Sequence, residues 1–117
     1  MKIMNNIVRE KSFRFAVRIV KLCKYLREAK KDSVMSRQLL RAGTSVGANV
    51  AESEHAQSRA DFASKLNIAL KEAAESDYWL RLLDETEYLS NGEFKSIIAD
   101  CREIESLLAS IVKTTKQ

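Results

Sequence analysis

Apolar residues recur at helical spacing along the whole chain and divide it into four segments. In the first segment they follow one another at steps of three, four or seven residues, which places them on one face of an α-helix. We predict that this helix runs from about residue 6 to residue 31. Its buried stripe comprises Val8, Phe15, Ile19, Leu22 and Leu26.

A second helix is predicted to follow the polar pair Asp32-Ser33, which favours a turn and supplies an N-cap. This helix should end near His55. Its buried side carries the apolar residues Leu39, Leu40, Val46 and Val50.

Capping-box sequences mark the start of the other two helices. Ser58 to Asp61 has this form with aspartate in place of the usual glutamate, and Ser90 to Glu93 has the standard form. The stripe of the third helix comprises Phe62, Leu66, Ala69, Ala73, Leu80 and Leu83. The fourth helix keeps the spacing of a bundle seam, with apolar residues at Phe94, Ile97, Cys101, Ile104, Leu108 and Ile111.

The lengths of these segments and of their connections predict the architecture. The 117 residues contain no proline, and only a few residues separate one helix from the next. Short connections make consecutive helices antiparallel neighbours. We therefore predict an all-α fold, an up-down-up-down antiparallel four-helix bundle, formed by residues 1–117 as a single domain.

Two glycines lie in the middle of the predicted second helix. Gly43 and Gly47 each cost a helix about 1 kcal/mol relative to alanine, so their presence needs a structural reason. A spacing of four puts both on one face, beside Ala51 and close to Ala48. This strip of small residues indicates either a close approach by another backbone or a break in the helix.

Hydropathy and cysteine content both favour the cytoplasm. No apolar stretch approaches the roughly 20 uncharged residues of a membrane span, and the first residues do not resemble a signal peptide. We therefore expect a cytoplasmic protein with no membrane partner. Cys23 and Cys101 fall among apolar residues, where reduced cysteines act as small buried hydrophobic side chains.

Few residues are of the types that catalyse reactions or bind metals. Glu52 and His55 form Glu-x-x-His, a motif of di-iron bundles, to which Glu72 and Glu75 could add carboxylates. Such a site needs a second Glu-x-x-His, and the chain has one histidine. Neither a nucleophile elbow nor a phosphate-binding glycine loop is present. We predict a protein without enzymatic activity, metal or cofactor.

Basic residues are concentrated at the start of the chain. Residues 1–41 hold 12 Lys and Arg against 3 Asp and Glu, whereas residues 42–117 hold 8 against 13. This asymmetry favours a polyanionic partner or association between copies. Along helix one the cations repeat at helical spacing, and we expect them to have very few acidic partners, chiefly Glu10 and Glu28. This basic ribbon consists of Lys11, Arg14, Arg18, Lys21, Lys24, Arg27 and Lys31.

The basic ribbon is a candidate surface for binding RNA or DNA. A row of cations can contact successive phosphates and give affinity without reading the base sequence, although ordinary solvated helices also carry lysines. Tyr25 is the only aromatic residue of helix one that we expect to be exposed and able to stack on a base. Binding should therefore be directed at the backbone and should weaken steeply with salt.

A second polar set lies on helices two and three, beside the glycines. Long polar side chains next to a strip of small residues favour a hydrogen-bonded seam between helices or subunits, which would set their register. A ligand pocket is the alternative. The candidate oligomer or packing seam comprises Arg41, Gly43, Ser45, Gly47, Asn49, Glu52, Glu72, Glu75, Trp79 and Arg81.

Two blocks of the sequence resemble a known bacterial family. Residues 36–52, with Arg-Ala-Gly-Thr-Ser-Val-Gly-Ala-Asn-Val-Ala-Glu at their end, are similar to the signature of four-helix-bundle proteins grouped with the 23S rRNA intervening-sequence proteins. Residues 58–83 resemble the second block of that family. Ser53 and Ser76 depart from the pattern, where we would expect glycine and threonine, and neither change threatens the fold.

This resemblance implies a non-enzymatic bundle. One branch of the family, the accessory protein of diversity-generating retroelements, is a homopentamer that binds nucleic acid and a reverse transcriptase. By this resemblance we expect a homo-oligomer, a pentamer, that binds RNA or DNA, with a reverse transcriptase or another protein as a further partner, and the basic ribbon assigns that binding to helix one. The alternative is a protein–protein interaction or assembly module that does not bind nucleic acid.

Overall fold

The computed structural model describes residues 2–115, which form four α-helices joined by short turns. Each helix packs against its neighbours in the sequence, and α1 closes the ring by packing against α4. The molecule measures 44 × 21 × 18 Å, so the helices lie along one long axis and alternate in direction. The predicted all-α bundle is confirmed. Its helices are α1 (Lys2–Glu28), α2 (Val34–Ser53), α3 (Arg59–Glu85) and α4 (Asn91–Thr115).

The predicted apolar stripes meet along the axis of the bundle and form one core. All five residues of the α1 stripe are buried. Phe62 and Phe94, each in the first turn of its helix, are only partly buried, and so is Leu40 on α2. The free thiols of Cys23 and Cys101 are buried in this core, as expected for small hydrophobic side chains. No helix within residues 2–115 combines the length and the apolar character needed to cross a membrane.

Helix α1 begins and ends earlier than the sequence pattern predicts. It begins at Lys2 and ends at Glu28, three residues before the predicted end. Lys31 has φ 58°, a left-handed conformation in which an α-helix cannot continue. In the turn, the amide of Asp32 donates to the carbonyl of Leu26 at 3.0 Å. The last basic residue of the ribbon therefore belongs to the connection between α1 and α2.

Ser33 is the N-cap residue of α2, but the capping hydrogen bonds come from Asp32. The side chain of Ser33 makes no capping hydrogen bond, whereas the Asp32 carboxylate accepts from the amide of Ser36 at 2.8 Å. The serine half of each predicted capping box forms at α3 and α4, whereas the carboxylate of Asp61 accepts from the amide of Gln57 and that of Glu93 from the hydroxyl of Ser90. In Ser58–Asp61 and Ser90–Glu93, the serine hydroxyl accepts from the amide three residues later, at 3.0 and 3.2 Å.

Gly43 and Gly47 allow α1 and α2 to pack at close range. Helix α2 continues through both glycines, so the predicted alternative of a helix break is wrong. A Cβ added to Gly47 would lie 3.1 Å from the main-chain oxygen of Ser12. A Cβ added to Gly43 would lie only 2.7 Å from Cγ1 of Ile19. The backbone that approaches the strip is therefore that of α1 in the same chain.

Candidate nucleic-acid interface

Two cations of the basic ribbon point towards α4 and form ion pairs with it. Lys11 Nζ lies 3.1 Å from Oε1 of Glu103, and Arg18 Nη1 lies 2.6 Å from Oδ2 of Asp100. Arg18 also donates through Nη2 to the hydroxyl of Ser96 at 3.1 Å. The expectation that acidic partners would come chiefly from α1 itself is wrong for these two residues, because α4 brings carboxylates to them.

The other five cations of the ribbon are all exposed. None of them has a carboxylate oxygen within 4.0 Å in residues 2–115. Lys30, in the turn between α1 and α2, and Arg37, in the first turn of α2, extend this exposed positive charge. We call the five unpaired residues of the ribbon the open cations: Arg14, Lys21, Lys24, Arg27 and Lys31.

Arg14 differs from the other open cations in its surroundings. It lines an open groove of about 410 Å³ between α1 and α4, together with the carboxylates of Glu10, Asp100 and Glu103. These three carboxylates lie beside Arg14 and Lys11, and each of them repels a phosphate. The positive surface suited to phosphates therefore lies nearer the C-terminal end of α1, from Lys21 onwards.

A second groove between α1 and α4 lies beside Tyr25 and has a different composition. Its open volume is about 310 Å³. Tyr25 lines it with an exposed fraction of 41%. The floor is apolar, and the charged residues at its edge are Arg18, Lys21 and Glu93. This Tyr25 groove therefore combines an accessible aromatic ring with the open cation Lys21.

Tyr25 is not the only exposed aromatic residue on α1. Phe13 is 66% exposed, so the expectation of a single exposed aromatic is wrong. Phe13 escapes burial because it lies about 120–160° around the helix from Phe15 and Ile19 of the buried stripe. The arginine one turn before Phe13, Arg9, forms an ion pair with Glu54.

Part of the predicted seam forms an ion-pair cluster between α2 and α3. Arg41 binds Glu72 at 3.3 Å and Glu75 through its other terminal nitrogen, and the indole of Trp79 donates to Glu75 at 3.1 Å. The hydrogen bond from Arg41, followed by that from Trp79, lowers the pKa of Glu75 below its ordinary value. These four residues therefore find partners within one chain.

The remaining polar seam residues are directed elsewhere. Ser45 and Asn49 donate back to carbonyls of their own helix, at 2.6 and 2.9 Å. Glu52 pairs with Lys65 at 3.3 Å, and Arg81 pairs with Asp77 on the side of α3 that faces α4. The structure thus divides the candidate seam into separate contacts, and a role for it between subunits stays a prediction.

A buried charge cluster between α3 and α4 is absent from the sequence-based predictions. Asp77 is only 7% exposed, and its two carboxylate oxygens accept from Arg81 at 2.8 Å and Arg102 at 3.1 Å. Its burial raises the pKa, but hydrogen bonds from Glu105 and from both arginines outweigh it and leave the pKa below its ordinary value. The sequence contains a signal for this cluster, because Asp77 interrupts the apolar stripe of α3 and lies four residues before Arg81.

Glu105 and Cys101 of α4 complete this cluster. The Cys101 thiol donates to the carbonyl of Ala73 at 3.3 Å, and burial raises its pKa. Burial, the hydrogen bond to Asp77 and its charge raise the pKa of Glu105 to about 7. Oxygen and sulfur atoms of Asp77, Cys101 and Glu105 lie within 4.8 Å of one another. Both oxygens of Asp77 are already occupied by arginines, which would compete with a metal ion.

The fold and the surface together define the class of this protein: an antiparallel four-helix bundle with a basic ribbon on its first helix. The family of the 23S rRNA-intervening sequence protein matches residues 4–110, and the chain belongs to that family.

A solved structure of a protein of unknown function from the S23 ribosomal protein family of Bacteroides thetaiotaomicron is similar throughout. The two chains are 57% identical with a TM-score of 0.92, over 94% of this chain and 98% of the other. Among curated proteins, none matches the chain.

Proposed function

We propose that this protein is a non-enzymatic homo-oligomeric bundle, a pentamer, that binds nucleic acid through phosphate contacts to the basic surface of α1. The observation that carries the proposal is the set of five open cations, which are exposed and have no carboxylate partner within residues 2–115. Cations of this kind gain affinity by releasing counterions from the nucleic acid. An oligomer multiplies the effect, because several subunits can hold one strand.

The position of the acidic side chains supports contact at the C-terminal part of the ribbon. Asp100 and Glu103 lie against Lys11 and Arg18, and such exposed ion pairs are worth only about 0–1 kcal/mol each. These ion pairs therefore contribute little to stability, but the carboxylates of Asp100 and Glu103 repel phosphates. Phosphate contacts should concentrate at the open cations from Lys21 to Lys31.

Exposed apolar side chains support association between copies. Val20 is 48% exposed, Val34 72% and Ile68 39%, and each of these side chains could contribute apolar area to an interface. Native mass spectrometry over a range of protein concentrations tests the assembly directly. A species of five subunits is expected, and a monomer at every concentration would refute this part of the proposal.

The same apolar side chains favour the second candidate function, a protein-binding or assembly module without nucleic-acid binding. In that case the partner is a protein, such as a reverse transcriptase, and the charges of α1 act between proteins. The pairing of Lys11 and Arg18 with α4 favours this candidate, because it removes two cations from the basic ribbon.

Salt titration of RNA and DNA binding distinguishes the two candidates. We expect affinity to fall steeply with salt for the unmodified protein. The double variant Lys24→Glu/Arg27→Glu should weaken binding at least tenfold at low salt and reduce the salt slope by about 1.4 for a single strand. Fluorescence anisotropy with labelled strands measures both quantities.

The chain offers a matched control on α4. Lys95→Glu/Lys113→Glu changes the net charge by the same amount on an exposed surface away from the ribbon. This control should bind nearly as well as the unmodified protein. Equal weakening by both double variants would show a general effect of net charge. Absence of any salt-sensitive binding would favour the assembly module.

A further inference from the structure

The Tyr25 groove has the features of a site for a flat aromatic group beside a phosphate. Leu22, Leu89 and Ile97 form its apolar floor, and Tyr25 stands at its edge with 41% of its surface exposed. Lys21, four residues before Tyr25, is an open cation on the same groove. A ring that stacks on Tyr25 would therefore place its attached phosphate close to Lys21.

The size of the groove limits what can enter it. Its volume of about 310 Å³ lies at the lower end of the roughly 300–1,000 Å³ found for small-molecule sites. The bases of a duplex are stacked on one another and cannot place a face on a protein side chain unless they are unstacked. An unpaired base has a free face and can use a tyrosine ring as a stacking platform.

We propose that the Tyr25 groove takes an unpaired nucleobase, and that the ligand of the basic surface is therefore single-stranded nucleic acid. This inference rests on the proposed function and narrows its class of ligand. Lys21 and the open cations that follow it hold the phosphates, and the ring of Tyr25 holds one base. Recognition by stacking tolerates any base, so the site selects single strands without selecting a sequence.

The charges around the groove agree with this assignment. Arg18 is bound to Asp100 and Ser96 through two of its five N–H donors, and the Asp100 carboxylate offsets its charge. The carboxylate of Glu93 lies in the capping box of α4, where the positive end of the helix dipole offsets part of its charge. Lys21 therefore remains the phosphate-binding group of the groove.

Phe13 provides a natural comparison on the same helix. It is more exposed than Tyr25, yet the arginine one turn before it, Arg9, is paired with Glu54. Phe13 also does not line the Tyr25 groove. It therefore supplies an aromatic ring without the groove and without an open cation one turn away.

The test compares a short single-stranded RNA with the same sequence in a duplex. Tyr25→Ala should weaken single-strand binding by about 5- to 150-fold, the range for loss of one stacked base, and leave duplex binding within twofold. Tyr25→Phe keeps the ring and should restore single-strand affinity. Phe13→Ala should leave both affinities unchanged. Light scattering of each variant monitors the oligomer.

Three results would overturn the inference while the proposed function stands. The first is an unchanged single-strand affinity in Tyr25→Ala, and the second is an equal loss for single strand and duplex. The third is a loss in Phe13→Ala as large as that in Tyr25→Ala. If Tyr25→Ala instead lowers the mass of the oligomer, a neighbouring subunit occupies the groove. If the unmodified protein binds neither RNA, the proposed function fails as well.

Discussion

The interface between α1 and α2 and the interface between α3 and α4 are specified in opposite ways. The first depends on shape, because Gly43 and Gly47 leave room for the side chain of Ile19 and the backbone of Ser12. The second contains a charge, because Asp77 is buried between α3 and α4 with arginines on both oxygens.

This difference shows that one bundle can fix the register of its helices by two means. A close backbone contact is disturbed by a single added methyl group, but it does not respond to pH. A buried charge cluster adds little net stability, and its contribution depends on which groups carry a proton. The two interfaces should therefore respond to different changes.

The largest effect is expected from filling the space at Gly43. Gly43→Leu places a side chain where Cγ1 of Ile19 already lies 2.7 Å from the first added carbon. Ile19 is fully buried and branched at Cβ, so it has little freedom to move away. We expect the free energy of unfolding to fall by about 3 kcal/mol, as measured by urea denaturation.

Two further variants show whether the loss comes from this contact. Gly92→Leu adds the same side chain where nothing lies within 4 Å of the new Cβ, and it should cost far less. Combining Gly43→Leu with Ile19→Ala should be less destabilising than the sum of the single changes, by about 1 kcal/mol or more. Strict additivity would contradict the shape-based account of the α1–α2 interface.

The two interfaces were also unequally predictable from the sequence. A glycine inside a helix has a local cost that can be recognised without the fold, so Gly43 and Gly47 indicated close packing correctly. The helices and their apolar stripes were predictable for the same reason, because periodicity is local. The ion pairs between helices were not predictable from the sequence, since the pair of Arg18 with Asp100 joins residues 82 positions apart. Such a pair depends on how two distant helices are rotated against each other.

The next effect in size is a pH dependence confined to the α3–α4 interface. The pKa of Glu105 is about 7 in the folded protein, against an ordinary value of 4.5. Between these two pH values the folded protein keeps a proton on Glu105 that the unfolded chain has released. Stability from this group is fully present below about pH 4.5 and is lost as the pH rises through about 7. Because Glu105 is only partly buried, we expect a loss of about 1 kcal/mol between pH 5 and pH 8.

Glu105→Gln should remove this part of the pH dependence. Its amide has no acidic proton and can donate to Asp77 at any pH, as the protonated acid does. Asp77 has a lowered pKa and loses its stabilising effect only at acid pH, and the Cys101 thiol has a raised pKa, so neither titrates in this window. Urea denaturation at pH 5 and pH 8 measures the difference. Glu103→Gln, an exposed change on the same helix, should keep the slope of the unmodified protein.

The smallest effects concern the two turns that end α1 and α3. Lys31 has φ 58° and Glu87 has φ 65°, and both are strained relative to glycine in this left-handed region. A change to glycine relieves this strain, but it also increases the backbone entropy of the unfolded chain. The net result of each change should be a stabilisation of about 0.5 kcal/mol. A rise in the thermal unfolding midpoint measures this gain.

The same pair separates stability from binding. Lys31→Gly also removes an open cation, so it should lower the salt slope of nucleic-acid binding by about 0.7 for a single strand. Glu87→Gly removes a carboxylate and no cation from the connection between α3 and α4, so it should not lower the slope. If both variants gain stability and only Lys31→Gly loses phosphate contacts, the basic surface extends into the α1–α2 turn. If Lys31→Gly and the unmodified protein had the same salt slope, Lys31 would contact no phosphate. The binding surface would then end within α1.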